Sequence, residues 1–449
     1  MQTFFGSVWW LIVSLGILVT FHEFGHFWVA RRCGIRVLRF SVGFGAPLWR
    51  RMGRDGTEYQ IAAIPLGGYV KMLDEREQDV APEDRPFAFN NKPVWQRIAV
   101  VAAGPGFNLI LCLALLWLMY LIGKPDYLPL VGRAEAIAAS AGVAKGDRLL
   151  AIDGEPTPTW TDVTMRLAEA ALEGAPVTLR VQRASGQEQQ LTLALDQVST
   201  QQRQTQPLQA IGLTPMHALL PAVVGDVQAG SGAEGVLKAG DRIERIGARA
   251  IDAWDQVSEA VQTQASADAP LLLQVRRDGG LLDLSVRPRL DSSGETPRWM
   301  LGIGPARAQA HYDTLLRYGV VAAAAASARE TWMLARNTLS MLGKMVAGKA
   351  SLQNLSGPLT IAKVANASAQ LGLAWFLYFL ALMSLSLCII NLLPIPILDG
   401  GHLLYYLIES IKGSPVSERA MIAGQYIGLT LLVGLMGLAL YNDVLFHLR

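Results

Sequence analysis

Apolar and polar positions along this chain are patterned on three length scales. On the longest, residues 4–30, 98–123, 371–397 and 421–441 carry no charge except Glu23. Each is long enough to cross a bilayer core of roughly 30 Å as a helix, which predicts four transmembrane helices. On an intermediate scale, residues 312–349 are Ala-rich, with Arg329, Glu330, Arg336 and Lys344 interrupting an apolar run too short to span. That pattern predicts an amphipathic helix on the outer membrane surface, broken at Asn354–Pro358. On the shortest scale, alternation around turn residues, from Gly43-Phe44-Gly45 through Thr57–Ile61 to Pro65–Met72, predicts a β-hairpin.

Composition and charge place these elements. Hydrophobic residues make up 51% of the chain and charged residues 17%, the balance of a membrane protein, and a net charge of +2 gives no case for nucleic acid. No Lys or Arg precedes the first span, whereas residues 31–97 hold twelve. The positive-inside rule makes that loop cytoplasmic and the N-terminus outer; with four spans, residues 124–370 and the C-terminus are outer as well. The first segment lacks a positive leading region and is followed by arginines, so it reads as a retained span, not a cleaved signal. Cys33 is cytoplasmic and Cys112 and Cys388 fall in spans, so no disulfide is expected.

The outer block repeats itself. Ala144-Lys145-Gly146-Asp147-Arg148-Leu149-Leu150 returns as Lys238-Ala239-Gly240-Asp241-Arg242-Ile243-Glu244, and Trp160 returns as Trp254, both at an offset of 94 residues. A domain-sized period means two tandem copies. The Gly-Asp-Arg loop, alternating strand and later helix resemble PDZ domains, α+β folds that take peptide C-termini by strand addition. Spacing or gating is an equal alternative for the pair.

The chemistry concentrates at two places. On a helix His22 and His26 share a face, so both imidazoles can bind one metal ion, and Glu23 lies beside them. Ionisable groups in a span cost on the order of several kcal/mol, which makes such a cluster a functional site by default. The His-Glu-x-x-His pattern is that of zinc peptidases, in which the glutamate accepts a proton from water and passes it to the leaving amine. Two interfacial histidines capping a span are the plain alternative. The third span closes with Asn391-Leu392-Leu393-Pro394-Ile395-Pro396-Ile397-Leu398-Asp399-Gly400-Gly401-His402. Its prolines free backbone groups of the kind that line buried cavities in membranes, and Asp399 is the natural third zinc ligand. The first and third spans run in the same direction and place these groups near the cytoplasmic end, with the metal roughly 8–13 Å inside the boundary marked by Arg31. Asn391 is a candidate for holding substrate backbone or stabilising an oxyanion, or is a packing amide; His402 is a weaker candidate beside the ligands. The hairpin, with Gly43, Gly45, Gly67 and Gly68, is a candidate substrate-binding element that dips into the membrane interface. A protease acting on helices must hold its substrate extended, and an edge strand can do so. A hairpin that only stiffens the loop is the alternative. Gly104-Pro105-Gly106-Phe107-Asn108 in the second span reads as a packing motif.

His22-Glu23-Phe24-Gly25-His26, Asn391–Gly400 and the two PDZ-like repeats between them resemble the site-2 protease family along the whole chain. The resemblance implies a polytopic α-helical protein of the bacterial inner membrane. It would have four spans, two tandem periplasmic PDZ-like domains, a membrane-associated β-hairpin and both termini periplasmic. It implies Zn2+ on His22, His26 and Asp399, Glu23 as catalytic base, and cleavage within the membrane of single-pass proteins already trimmed by another protease. Anti-sigma factors and remnant signal peptides are the typical substrates. Ser386 departs from the pattern, since relatives commonly carry a second asparagine there. The expected divisions are 1–30 (first span), 31–97 (cytoplasmic loop with hairpin), 98–123 (second span), 124–217 and 218–308 (the repeats) and 309–370 (helical linker on the outer face). There follow 371–397 (third span), 398–420 (cytoplasmic loop or helix) and 421–449 (fourth span and C-terminus). A zinc transporter or an inactive PDZ scaffold are the rival functions; neither needs a glutamate next to a ligand.

Overall fold

The computed structural model describes residues 2–199, 207–266, 269–291, 297–306, 312–347 and 357–448. Two compact units divide the chain: Met1–Lys124 with Leu316–Arg449, and Pro125–Leu315. The first unit is helical, built from α1 (Gln2–Arg32), α2 (Val94–Ile122), α3 (Val320–Val346), α4 (Pro358–Leu371), α5 (Leu373–Leu392), α6 (Asp399–Lys412) and α7 (Glu418–Leu448). Of these α1, α2, α5 and α7 are long and apolar enough to cross a membrane.

The core of this unit lies between α2 and α5. Cys112, Leu116 and Met119 pack against Leu377, Ala381 and Leu385, all nearly inaccessible. Ser384 Oγ donates to the Asn108 carbonyl at 2.7 Å, a hydrogen bond between two fully buried residues of the two helices. α1 joins on the other side of α2 and α5, with Leu18 packed against Leu111, Phe376 and Phe379.

Two expectations shift at α3. The helix starts at Val320, not Tyr312, because the preceding backbone is held by α2: the Tyr318 amide donates to the Tyr120 carbonyl at 3.0 Å and Arg317 Nε to the Leu121 carbonyl at 3.0 Å. One face of α3 also packs on the bundle, where Ala323, Ala326 and Leu334 join the α2–α5 core, while Val321 and Trp332 stay exposed. The break expected at Asn354–Pro358 lies outside the described residues up to Ser356, and Pro358 opens α4.

Between α1 and α2 run β1 (Val37–Met52) and β2 (Glu58–Met72), which pair antiparallel. Both curl, so that Phe40 lies beside Val70 and also beside Tyr59, and Met52 beside Glu58. Glycine permits the bend: Gly43 has φ +91° and sits against the Ile64 carbonyl. Gln60 Nε2 donates to Ser41 Oγ at 2.9 Å inside the curl.

The second unit holds the two repeats, each with its own core. Arg148–Ile152, Glu155–Pro156, Val177–Gln182 and Glu188–Leu193 form one four-stranded sheet; Arg242–Ile246, Arg249–Ala250, Leu271–Arg277 and Gly280–Val286 form the other, in the same strand order. The equivalence extends to irregularities, since both ladders slip by a residue at the same place, between Leu149 and Ala151 and between Ile243 and Arg245. The repeated Gly-Asp-Arg has a mechanical reason. Gly146 and Gly240 take positive φ, and the next carboxylate accepts from its own loop, from the amide of Ala144 or Lys238, at 2.8 Å in both copies. An arginine at the end of the neighbouring strand closes each loop: Arg183, the residue after Val177–Gln182, reaches Asp147 at 2.5 Å, and Arg277, the last of Leu271–Arg277, reaches Asp241 at 2.7 Å.

Candidate metal centre

His22 and His26 stand one turn apart on α1, with rings at 86° and Nε2 atoms 3.3 Å apart. The third group arrives from α6. Helix α5 ends at Leu392 ahead of Pro394 and Pro396, and the chain turns through Ile397, whose φ of +108° is one that a β-branched residue seldom adopts. The turn is folded tightly on itself: a Cβ on Gly401 would lie 2.5 Å from the Ile395 carbonyl oxygen. α6 then begins at Asp399, whose Oδ2 lies 3.2 Å from His22 Nε2 and 3.5 Å from His26 Nε2.

That triangle has the dimensions of a metal site. Two donor atoms about 2.05 Å from a tetrahedral ion lie about 3.3 Å apart. The three separations here are 3.2, 3.3 and 3.5 Å. Asp399 Oδ2 is buried and makes no well-formed hydrogen bond among the described residues, an arrangement that is unfavourable without a cation. Two imidazoles and a carboxylate are a donor set of catalytic zinc, with a fourth position left for water or substrate. The residues therefore fit the ion.

Glu23 sits between this triangle and the hairpin. A Cβ on Gly68 would lie 3.1 Å from Glu23 Cγ and 2.7 Å from the Ser41 carbonyl oxygen, so β2 can approach the carboxylate this closely only with glycine there. The Val70 amide lies beside the same carboxylate. A cavity of about 680 Å³ opens at this point, lined by Glu23, His26, Asp399, His402, Tyr405 and Gln425, with Val70–Met72 forming another wall.

The remaining expected positions divide. Gly68 borders the centre; Gly43, Gly45 and Gly67 shape the hairpin itself, Gly67 against the Phe44 ring and Gly45 against the Ile64 side chain. Asn391 stands in the last turn of α5, and no hydrogen bond links it to the triangle among the described residues. His402 lines the cavity.

What sequence reasoning missed is α2. The Val100 carbonyl lies 2.9 Å from His26 Nδ1, and the Asn108 side-chain amide 3.2 Å from His22 Nδ1. Gly104, between them, is overlaid by the imidazoles: a Cβ there would overlap His26 Nε2 and lie 2.8 Å from His22 Cε1. The available signal was an amide in an apolar span four residues after a glycine, which puts both on one helix face.

Comparison with known proteins agrees with this geometry. A family model described as Peptidase family M50 matches residues 10–435. A "Putative zinc metalloprotease" of Xylella fastidiosa (strain 9a5c) is 50% identical over 449 residues, covering 99% of this chain and 100% of that protein. "Protease RseP" of Yersinia pestis is 44% identical over 438 residues, and "Regulator of sigma-E protease RseP" of Escherichia coli (strain K12) 44% identical over 437; each comparison covers 96% of this chain and 97% of the relative. With a match across nearly its whole length and the histidines and carboxylate converging as they do, this chain belongs to peptidase family M50, the site-2 proteases, and is a zinc metalloprotease.

Proposed function

We propose that the chain hydrolyses peptide bonds inside the membrane, with His22, His26 and Asp399 holding zinc and Glu23 as general base. The observation that carries this reading is the meeting of His22 and His26, on the apolar helix α1, with Asp399 at the start of α6, and with Glu23 beside them on the wall of the same cavity. A zinc ion on the triangle supplies Lewis acidity toward water and a peptide carbonyl. Glu23 takes the proton from the attacking water and returns it to the leaving amine. The hairpin, through the strand around Gly68, holds the substrate extended next to Glu23 by edge pairing, which exposes peptide bonds that a helix keeps hydrogen-bonded. Asn391 and the glycines Gly43, Gly45 and Gly67 serve the same substrate channel.

The substrates in this reading are single-pass membrane proteins already trimmed by another protease, an anti-sigma factor and remnant signal peptides; relatives whose name is regulator of sigma-E protease fit the first of these. The arginines after α1 support a cytoplasmic hairpin. The chain then lies in the bacterial inner membrane with both termini periplasmic, α3 and α4 as the outer linker, and the repeats as periplasmic PDZ-like domains that screen substrates by size or take their new C-termini.

The test is cleavage of a trimmed single-pass substrate by the purified full chain, wild type against Glu23→Gln, with bound zinc assayed in both. The variant keeps its zinc and loses about 10²-fold or more in rate, the scale of a lost general base. Cleavage that survives the substitution removes Glu23 from the mechanism.

A further inference from the structure

We propose that Asn108 is a positioning residue for the metal centre: its side-chain oxygen accepts the Nδ1 proton of His22 and so fixes the tautomer that leaves Nε2 free to bind zinc. This rests on the reading of His22 as a ligand.

The argument begins at the other histidine. His26 Nδ1 lies 2.9 Å from the Val100 carbonyl oxygen, which can only accept. Nδ1 of His26 therefore carries the proton, and Nε2 turns its lone pair toward Asp399. His22 faces the same requirement, because its Nε2 is the atom that points at Asp399. Its Nδ1 must then be protonated and needs an acceptor. In the structure the end of the Asn108 amide placed 3.2 Å away is Nδ2. An amide has ends of the same shape but opposite chemistry, so the proton on Nδ1 selects oxygen as the end facing the ring. The opposite orientation makes His22 Nδ1 an acceptor, moves its proton to Nε2 and closes the ligand. It also leaves Asn108 Oδ1 buried with no partner among the described residues.

The amide is well held for this purpose. Asn108 is fully buried, and its backbone carbonyl accepts from Ser384 Oγ, which is also fully buried. α2 thus orients both imidazoles through their outer nitrogens, one by a main-chain and one by a side-chain oxygen.

Metal binding, measured apart from catalysis, tests this. Metal-free wild type, Asn108→Leu and Asn108→Asp, each as the full chain in detergent, are titrated with Co²⁺ while the visible d–d bands are recorded, and zinc affinity is read by displacement. Asn108→Leu, of similar volume but with no acceptor, lowers zinc affinity 10- to 100-fold and alters the d–d bands. Asn108→Asp, which still accepts but cannot donate, keeps wild-type affinity or tightens it. Wild-type affinity in Asn108→Leu overturns the proposal, as does a loss in Asn108→Asp equal to that of the leucine variant, which would mean that the amide donates. If the leucine variant fails to fold, the aspartate variant alone decides between acceptor and donor. A wild-type protein that binds no stoichiometric metal overturns the functional reading itself, and this assignment with it.

Discussion

Gly104 and Gly106 stand two residues apart on α2, yet a methyl group has opposite consequences at the two. At Gly104 it would strike both imidazoles, whereas a Cβ at Gly106 meets nothing within 4 Å. Gly104→Ala must therefore push α2 away from α1 or turn the histidine rings off the common point they share with Asp399. We expect it to lower zinc occupancy and cleavage together, by 10-fold or more, the range found for disturbed ligand orientation. Gly106→Ala, in the same helix, keeps full occupancy and raises stability by about 0.5–1 kcal/mol, because alanine loses less backbone freedom in a helix. Zinc content and thermal unfolding of the two variants check this. Equal occupancy in both would mean that α2 does not set the position of the histidines.

Among the elements, α4 depends on a side chain supplied by α7. Its N-terminus has only Gly357 at the cap position, which offers no side-chain acceptor. Asp443 takes that role: its carboxylate accepts from the amides of Gly357 at 3.1 Å, Leu359 at 2.9 Å and Thr360 at 3.3 Å, and from the Thr360 hydroxyl at 2.6 Å. An anion at a helix N-terminus also meets the positive end of the helix dipole. Asp443→Ala is expected to destabilise the bundle by about 1–2 kcal/mol, as for loss of an N-cap. Asp443→Asn, which keeps an acceptor, loses less. Thermal unfolding in detergent orders the three proteins, and an alanine variant as stable as wild type would remove the cap from the account. A second tie serves α6: Arg97 on α2 pairs with Glu409 through contacts of 2.6 and 3.1 Å, fixing the helix that starts at Asp399.

On the scale of the whole molecule, the two repeats have separate cores, so an acid-sensitive bond in one need not unfold the other. In the second repeat the Arg277 guanidinium holds the Asp241 carboxyl below its ordinary value. An unfolded aspartate titrates at about 3.9. The stabilisation is therefore complete above that value and is lost as pH falls through the lower, folded value. Hydrogen exchange of residues 238–277 in the intact protein, corrected for intrinsic rates, should show protection falling on acidification below about pH 4. Asp241→Asn lowers protection already at neutral pH and flattens its acid dependence. An unchanged acid profile in that variant would place the sensitivity elsewhere.

Much of this architecture is legible in the sequence. Bilayer thickness sets the length of an apolar span, so α1, α2, α5 and α7 stand out in the sequence. Helical periodicity puts His22 and His26 on one face, and the buried cost of charge marks Glu23 and Asp399 as functional candidates. A fixed offset exposes the two repeats because a repeated loop reuses the same glycine and carboxylate. Tertiary structure alone decided which backbone passes over the imidazoles. Val100, Gly104 and Asn108 act on the histidines through contacts between helices more than seventy residues apart in the chain. Local periodicity carries no information about such distances, and in an apolar span a packing glycine and a ligand-orienting one are written with the same letter. The start of α3 was hidden for the same reason: the segment before it is held, through Arg317 and Tyr318, by the Leu121 and Tyr120 carbonyls at the end of α2.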